Sequence, residues 1–242
     1  MRVVRPNRLM RDAAAILEPV KDQLVVVGAL AVQIALDGHE AALTPTRDID
    51  AGLDASDADS VVAHLEGQGL RRSAVPHERE FTWVKDEIKV QLMAPFNPIA
   101  KSHPPGKGLP DNNIVGELQQ HRWLVAFEQD PSLGRFYAAR PVALVGLKEE
   151  AFGRTRPNGE KVDRDYSDVA LLFDRLHDDV VAEAEQDGQM RIRARRAASR
   201  LTEGEPLEGA VRELVASGEQ ESVPVAEAMV KRAAGDLLAA LE

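Results

Sequence analysis

The junction at residues 24–36 constrains this chain most. Leu24-Val25-Val26-Val27 is followed at once by Gly28, and then by an apolar run from Ala29 to Leu36 broken only by Gln33. The β-branched stretch predicts a buried strand. The run after it predicts a helix that ends near Gly38. A strand that passes into a helix through glycine leaves backbone N–H groups and the positive end of the helix dipole at one end of a sheet. The apolar run is also too short for a membrane span, which needs about 20 residues.

Composition sets the frame around that junction. The 242 residues are 44% hydrophobic and 29% charged, which permits a sizeable core. Aromatics make up only 4%, so Ala, Val, Leu and Ile must build that core. A net charge of −10 argues against a protein that coats nucleic acid with a general basic surface. The absence of cysteine excludes disulfides, thiolate metal sites and thiol nucleophiles. The basic N-terminus, MRVVRPNRLMRDAAAIL, leads into no clean apolar segment with a cleavage site. A cytoplasmic protein without membrane contact is expected.

Residues 8–18 predict an amphipathic helix stopped by Pro19. Thr44–Arg47 predicts a turn, and the alternating Asp48–Leu53 a strand. Asp57 is placed to cap a helix running to about Gly67. Leu70–Val75, Glu80–Lys85 and Ile88–Met93 predict three short strands, the last two joined by a turn at Asp86–Glu87. Pro95–Asn113, with five prolines and two glycines, predicts a long loop or lid. Beyond residue 141 strand patterns vanish. Pro141–Phe152, Asp165–Leu176, Val180–Leu201, Leu207–Ser217 and Val225–Leu241 predict helices, with a turn at Pro157-Asn158-Gly159. The expected class is α+β: a sheet-containing domain over residues 1–135 and a helical domain over 136–242.

Asp48-Ile49-Asp50 carries the chemistry. Residues i and i+2 of a strand share a face, so the two carboxylates project together while Ile49 enters the core. Carboxylates that close repel unless a cation sits between them. Mg²⁺ binds one or two carboxylates together with substrate phosphates and water. Combined with the Gly28 junction, the pair suits a metal–nucleoside triphosphate. A solvated pair of strand-edge aspartates is the alternative.

The stretch LVVVGALAVQIALDGHEAALTPTRDIDAGL resembles the opening of the nucleotidyltransferase fold of the DNA polymerase beta-like superfamily. There a strand ends in Gly-Gly or Gly-Ser, a helix follows, and a T-x-D-x-D strand comes about twenty residues later. Here that strand is Thr46-Arg47-Asp48-Ile49-Asp50. LVGLKEEAFGRTRPNGEKVDRDYSDVALL resembles the lysine helix and the R-D-x-x-D helix of AbiEii-like nucleotidyltransferase toxins. The resemblance spans roughly residues 24–176. It implies a nucleotidyltransferase-fold mixed sheet, with Asp48 and Asp50 as catalytic residues and ligands of Mg²⁺. It implies Gly28, Ala29, Lys148 and Asp168 as nucleotide-binding residues, with Asp165 completing the catalytic set. The reaction would move an NMP from an NTP to an acceptor hydroxyl, tRNA among the acceptors, and a cognate antitoxin is a further implied partner.

Two positions depart from the family pattern. Ala29 replaces a serine whose hydroxyl could bond phosphate. Gln91 stands where a third carboxylate is expected, and a glutamine cannot accept a proton at neutral pH. An inactive nucleotide- or protein-binding module is therefore an alternative, as is an enzyme that modifies antibiotics.

Weaker candidates complete the set. His39, His77 and His121 lack metal-ligand spacing. Lys101, His103 and Lys107 lie in a glycine-containing loop without Walker spacing. Arg154 and Arg164 are placed to reach phosphate from a surface turn. Arg191, Arg193, Arg195, Arg196 and Arg200 crowd into ten residues. They would bind RNA phosphates, or else pair with the acidic segment Glu183–Asp187.

Overall fold

A computed structural model describes all residues except 40–45, 77, 80, 95–116, 129, 131 and 154–162. The fold is α+β, with an eight-stranded mixed sheet. The chain divides into two compact units, residues 1–37 with 46–140 in one and residues 38–45 with 141–242 in the other. The boundary expected from sequence lay five residues earlier.

The first unit holds β1 (Arg2–Val4), α1 (Arg8–Leu17), β2 (Leu24–Val27), α2 (Gly28–Ala35), β3 (Asp48–Leu53), α3 (Ala58–Gly67), β4 (Arg71–Arg72), β5 (Thr82–Lys85), β6 (Ile88–Met93), β7 (Arg122–Phe127) and β8 (Phe136–Ala139). The strand order is β1-β7-β8-β2-β3-β6-β5-β4. β2 lies between antiparallel β3 and parallel β8, and β6 runs parallel to β3.

Register fixes which residues share a face. Ile49, Ala51, Val90, Trp83 and Val26 point one way, all of them buried. α3 covers this face, where the Trp83 indole N–H donates to Glu66 Oε1 at 3.4 Å. α2 covers it as well. Arg2, on the same face of β1, donates to the Ala35 and Asp37 carbonyls at 2.8 and 2.9 Å, closing the C-terminal end of that helix. Asp48, Asp50, Lys89, Gln91 and Thr82 point the other way.

The second unit holds α4 (Pro141–Ala151), α5 (Arg164–Arg175), α6 (His177–Gln186), α7 (Gly188–Arg200), α8 (Gly204–Ala216) and α9 (Val223–Ala240). α5 packs on α4, α8 and α9, and α4 also packs on α7. α5 and α8 approach so closely that a Cβ on Gly209 would lie 2.5 Å from the Tyr166 ring. The Val142 N–H at the start of α4 donates to buried Glu183 Oε2 at 3.1 Å, satisfying a donor that the helix leaves open.

Several expectations change. β1, β7 and β8 are strands with no counterpart in the sequence reading. Leu70–Val75 reduces to Arg71–Arg72, and the strand expected over Glu80–Lys85 covers only Thr82–Lys85. The helix expected over Val180–Leu201 is two helices. Asp187 breaks it with extended backbone and caps α7, accepting from the Gln189 and Met190 N–H groups at 2.8 and 3.2 Å. The Asp86–Glu87 turn is present, with Asp86 at φ 54°. The Pro95–Asn113 loop, His77, Lys101, His103, Lys107, Arg154 and the turn at 157–159 lie outside the described residues.

Candidate active site

In the first unit the strand-to-helix turn is built around glycine. Gly28 has φ +63°, the left-handed region that residues with a Cβ rarely adopt. A Cβ there would lie 2.1 Å from Asp50 Oδ2 and 2.9 Å from Asp50 Cγ. The glycine is therefore needed twice, for the turn and for the carboxylate seated against it. No side chain caps α2, so its first N–H groups are not taken by a side-chain cap. Ala29 adds no hydroxyl, and any bond to phosphate at this point comes from the backbone.

Asp48 and Asp50 are both partly exposed, with buried Ile49 between them. The Thr46 hydroxyl accepts from the Asp48 N–H at 3.2 Å and so fixes the start of β3. Asp50 lies across from Val27 on β2 and from Gln91 on β6, and Asp48 lies across from Lys89. Lys89 pairs with Glu78 at 2.7 Å. Lys89 and Glu78 were not singled out from sequence. The period of two that linked Asp48 to Asp50 also links Lys89 to Gln91, and would have found the lysine.

Among the described residues, no group of three or more His, Asp or Glu side chains is arranged to hold a metal. The donor set at this face is two carboxylates. Such a pair fits Mg²⁺ delivered with a triphosphate, because the phosphate oxygens and water supply the remaining ligands.

In the second unit Lys148, Asp165 and Asp168 come together. Lys148 Nζ donates to Asp165 Oδ1 at 2.7 Å and lies 2.6 Å from Asp168 Oδ2. Lys148 is only 8% exposed. Burial works against its charge, but Asp168 and then Asp165 outweigh that, so the ammonium is held well above its ordinary value. Lys148 is thus a partner of the two aspartates in this structure, rather than an exposed helix lysine.

The arginines of α7 serve the helical packing. Arg196 and Arg200 both pair with Glu149, which is 2% exposed, and Arg193 pairs with Glu150 at 2.6 Å. Arg191 donates to the Leu241 carbonyl at 2.6 Å. Arg195 is exposed. The expected partner, Glu183–Asp187, is corrected to α4, whose two glutamates face α7. Four of the five arginines thus have partners within the unit, while Arg195 and Arg196 remain exposed. Glu149→Gln should loosen the contact between α4 and α7 by about 1–2 kcal/mol, the half-exposed arginines weakening the effect. A urea unfolding midpoint equal to wild type would contradict this.

No protein-family model matches the chain, and no curated protein or solved structure is significantly similar to it. Among the described residues, no helix is long and apolar enough to cross a membrane.

Proposed function

We propose that the first unit carries the chemistry of a nucleotidyltransferase, moving an NMP from an NTP to an acceptor hydroxyl. The observation that supports this best is the seat of Asp50. Its carboxylate lies against Gly28 at the uncapped start of α2, with Asp48 on the same sheet face. Anionic ligand groups and a divalent cation are wanted together there, the first by the helix start and the second by the carboxylates.

In this reading Asp48 and Asp50 hold Mg²⁺, which when bound neutralises phosphate charge and orients the triphosphate. The N–H groups of the α2 start bind phosphate oxygens, and the missing Cβ of Gly28 lets them approach. The acceptor oxygen forms a bond to the α-phosphorus as the bond to the pyrophosphate oxygen breaks in line. The acceptor proton passes to solvent or to a carboxylate, since Gln91 cannot take it. The Lys148 cluster joins this reading only through the sequence resemblance, and Lys148→Arg asks separately whether turnover needs it.

The acceptor is proposed to be RNA, tRNA included, again on the resemblance. An antibiotic hydroxyl and a protein are the competing acceptors. A second reading, a nucleotide-binding module without turnover, is favoured by one observation: a neutral amide stands beside Asp50 where an acid would assist proton removal.

The test is incubation with each labelled NTP, Mg²⁺ and total tRNA, for wild type and Asp50→Ala. Label transfer by wild type alone supports the enzyme. NTP binding with no transfer to RNA, aminoglycoside or protein supports the second reading. Absence of both NTP and Mg²⁺ binding refutes the two together.

A further inference from the structure

Gln91 and Lys89 face Asp50 and Asp48 across the parallel β3–β6 ladder. The Gln91 amide has one orientation that satisfies both of its neighbours. Nε2 donates to Asp50 Oδ1 at 3.0 Å, and Oε1 accepts from Lys89 Nζ at 3.1 Å. An ammonium can only donate, so the amide cannot turn over without losing both bonds. Lys89 is itself held by Glu78 Oε1 at 2.7 Å, and Glu78 Oε2 accepts from the Ser73 hydroxyl at 3.2 Å. Every bond in this series has a determined direction, and the last one ends on Asp50. Beside Gln91 in the same row stands Thr82, fully buried, whose hydroxyl oxygen has no hydrogen-bond partner. This row therefore holds a buried polar atom that the described residues leave unsatisfied.

We propose that Gln91 is a positioning residue that restricts the Asp48–Asp50 pair to a single divalent cation. The proposal rests on the nucleotidyltransferase reading of this face. A carboxylate that bridges two cations about 4 Å apart through both of its oxygens offers one oxygen to each metal. At Asp50, Oδ1 receives an N–H instead. That donor hydrogen carries partial positive charge, and the Lys89 ammonium stands behind it. Both repel a second cation on the β6 side. Oδ2 lies on the other side, against Gly28, and the cation is taken there together with the phosphates at the start of α2. Gln91 thus sets which oxygen of Asp50 binds metal, and Lys89 sets Gln91.

The number of Mn²⁺ ions bound per chain tests this. Full-length wild type, Gln91→Glu, Gln91→Asp and Asp50→Ala are titrated with MnCl₂, and free and bound Mn²⁺ are followed by electron paramagnetic resonance. Wild type should bind one ion, and Asp50→Ala should lose it. Gln91→Glu, which keeps the shape and turns a donor into an acceptor, should bind two, with the spectrum of a coupled pair. Gln91→Asp provides the same change should the longer side chain perturb folding. Two ions in wild type, or one ion in both folded acidic variants, would overturn the single-cation role while leaving the nucleotidyltransferase reading in place. No saturable Mn²⁺ in wild type with or without a non-hydrolysable NTP analogue present, or binding untouched by Asp50→Ala, would overturn both.

Discussion

Replacing Lys148 by methionine will destabilise the second unit by about 3–5 kcal/mol, the usual cost of breaking a buried pair by removing one partner. Methionine approximates the lysine stem, so the lost packing is small. What remains is Asp168, 5% exposed, and Asp165 close beside it, with the cation that joined them gone. Two carboxylates left together in partial burial repel each other and lack solvation. Lys148→Arg, which keeps the charge, should cost clearly less. Urea unfolding of the full chain checks this, and a methionine variant within about 1 kcal/mol of wild type would contradict the account. The pH dependence has a definite sign. The folded Lys148 is held above its ordinary value, so its contribution is complete below about pH 10.4 and is lost only as pH rises through the raised value. Between pH 7 and pH 9 this contribution should therefore be constant. A loss of wild-type stability across that window that Lys148→Met abolishes would show the sign to be wrong.

Gly28→Ala will unseat Asp50. The new Cβ would overlap Oδ2 at 2.1 Å, a separation that no contact tolerates, and the residue must also hold φ +63°. The left-handed backbone alone costs about 1–3 kcal/mol for a residue with a Cβ. Relief of the overlap requires the Asp50 carboxylate to swing off the junction, or α2 to shift. Either movement separates the carboxylate from the start of the helix, so Mn²⁺ affinity should fall at least tenfold even where the variant stays folded. Ala29→Gly is the control, since it changes the neighbouring residue without adding an atom near Asp50. Unchanged Mn²⁺ affinity in a folded Gly28→Ala chain would remove the observation on which the functional proposal chiefly rests.

The parts of this fold that were legible in the sequence are those written in local pattern. Val25-Val26-Val27 is β-branched, Gly28 punctuates it, and Asp48-Ile49-Asp50 alternates. Each of these signals needs only a few neighbouring residues. β8 carries no such signal. Phe136-Tyr137-Ala138-Ala139 lacks β-branching, and it is a strand because it pairs along its whole length with β7 and lies beside β2, more than one hundred residues earlier in the chain. β1 likewise depends on β7 at the far end of the unit. The break between α6 and α7 was hidden because apolar spacing continues on both sides of Asp187. The Asp187-Gly188 dipeptide is the local signal that marks the break, and the cap made by Asp187 confirms where α7 begins.

The candidate site divides in the same way. Gly28, Asp48 and Asp50 were legible together because one strand and one turn place them. Lys148 and Asp165 were identified singly, but their pairing was not, because two helices must pack before the seventeen-residue separation closes. The glutamate partners of the α7 arginines were not legible for a related reason. A charge cluster shows its own sign in sequence, whereas Glu149 and Glu150 become its partners only through the packing of α4 on α7.

Both tryptophans of the chain, Trp83 and Trp123, belong to the first unit, each with an arginine against its ring, and the second unit has none. The aromatic economy of this sequence thus labels the two halves with different optical signals. Indole emission reports on the sheet alone, while ellipticity at 222 nm is dominated by the helices of the other half. A single denaturant titration recorded both ways tells whether the halves melt as one body or in turn, with no dye and no substitution.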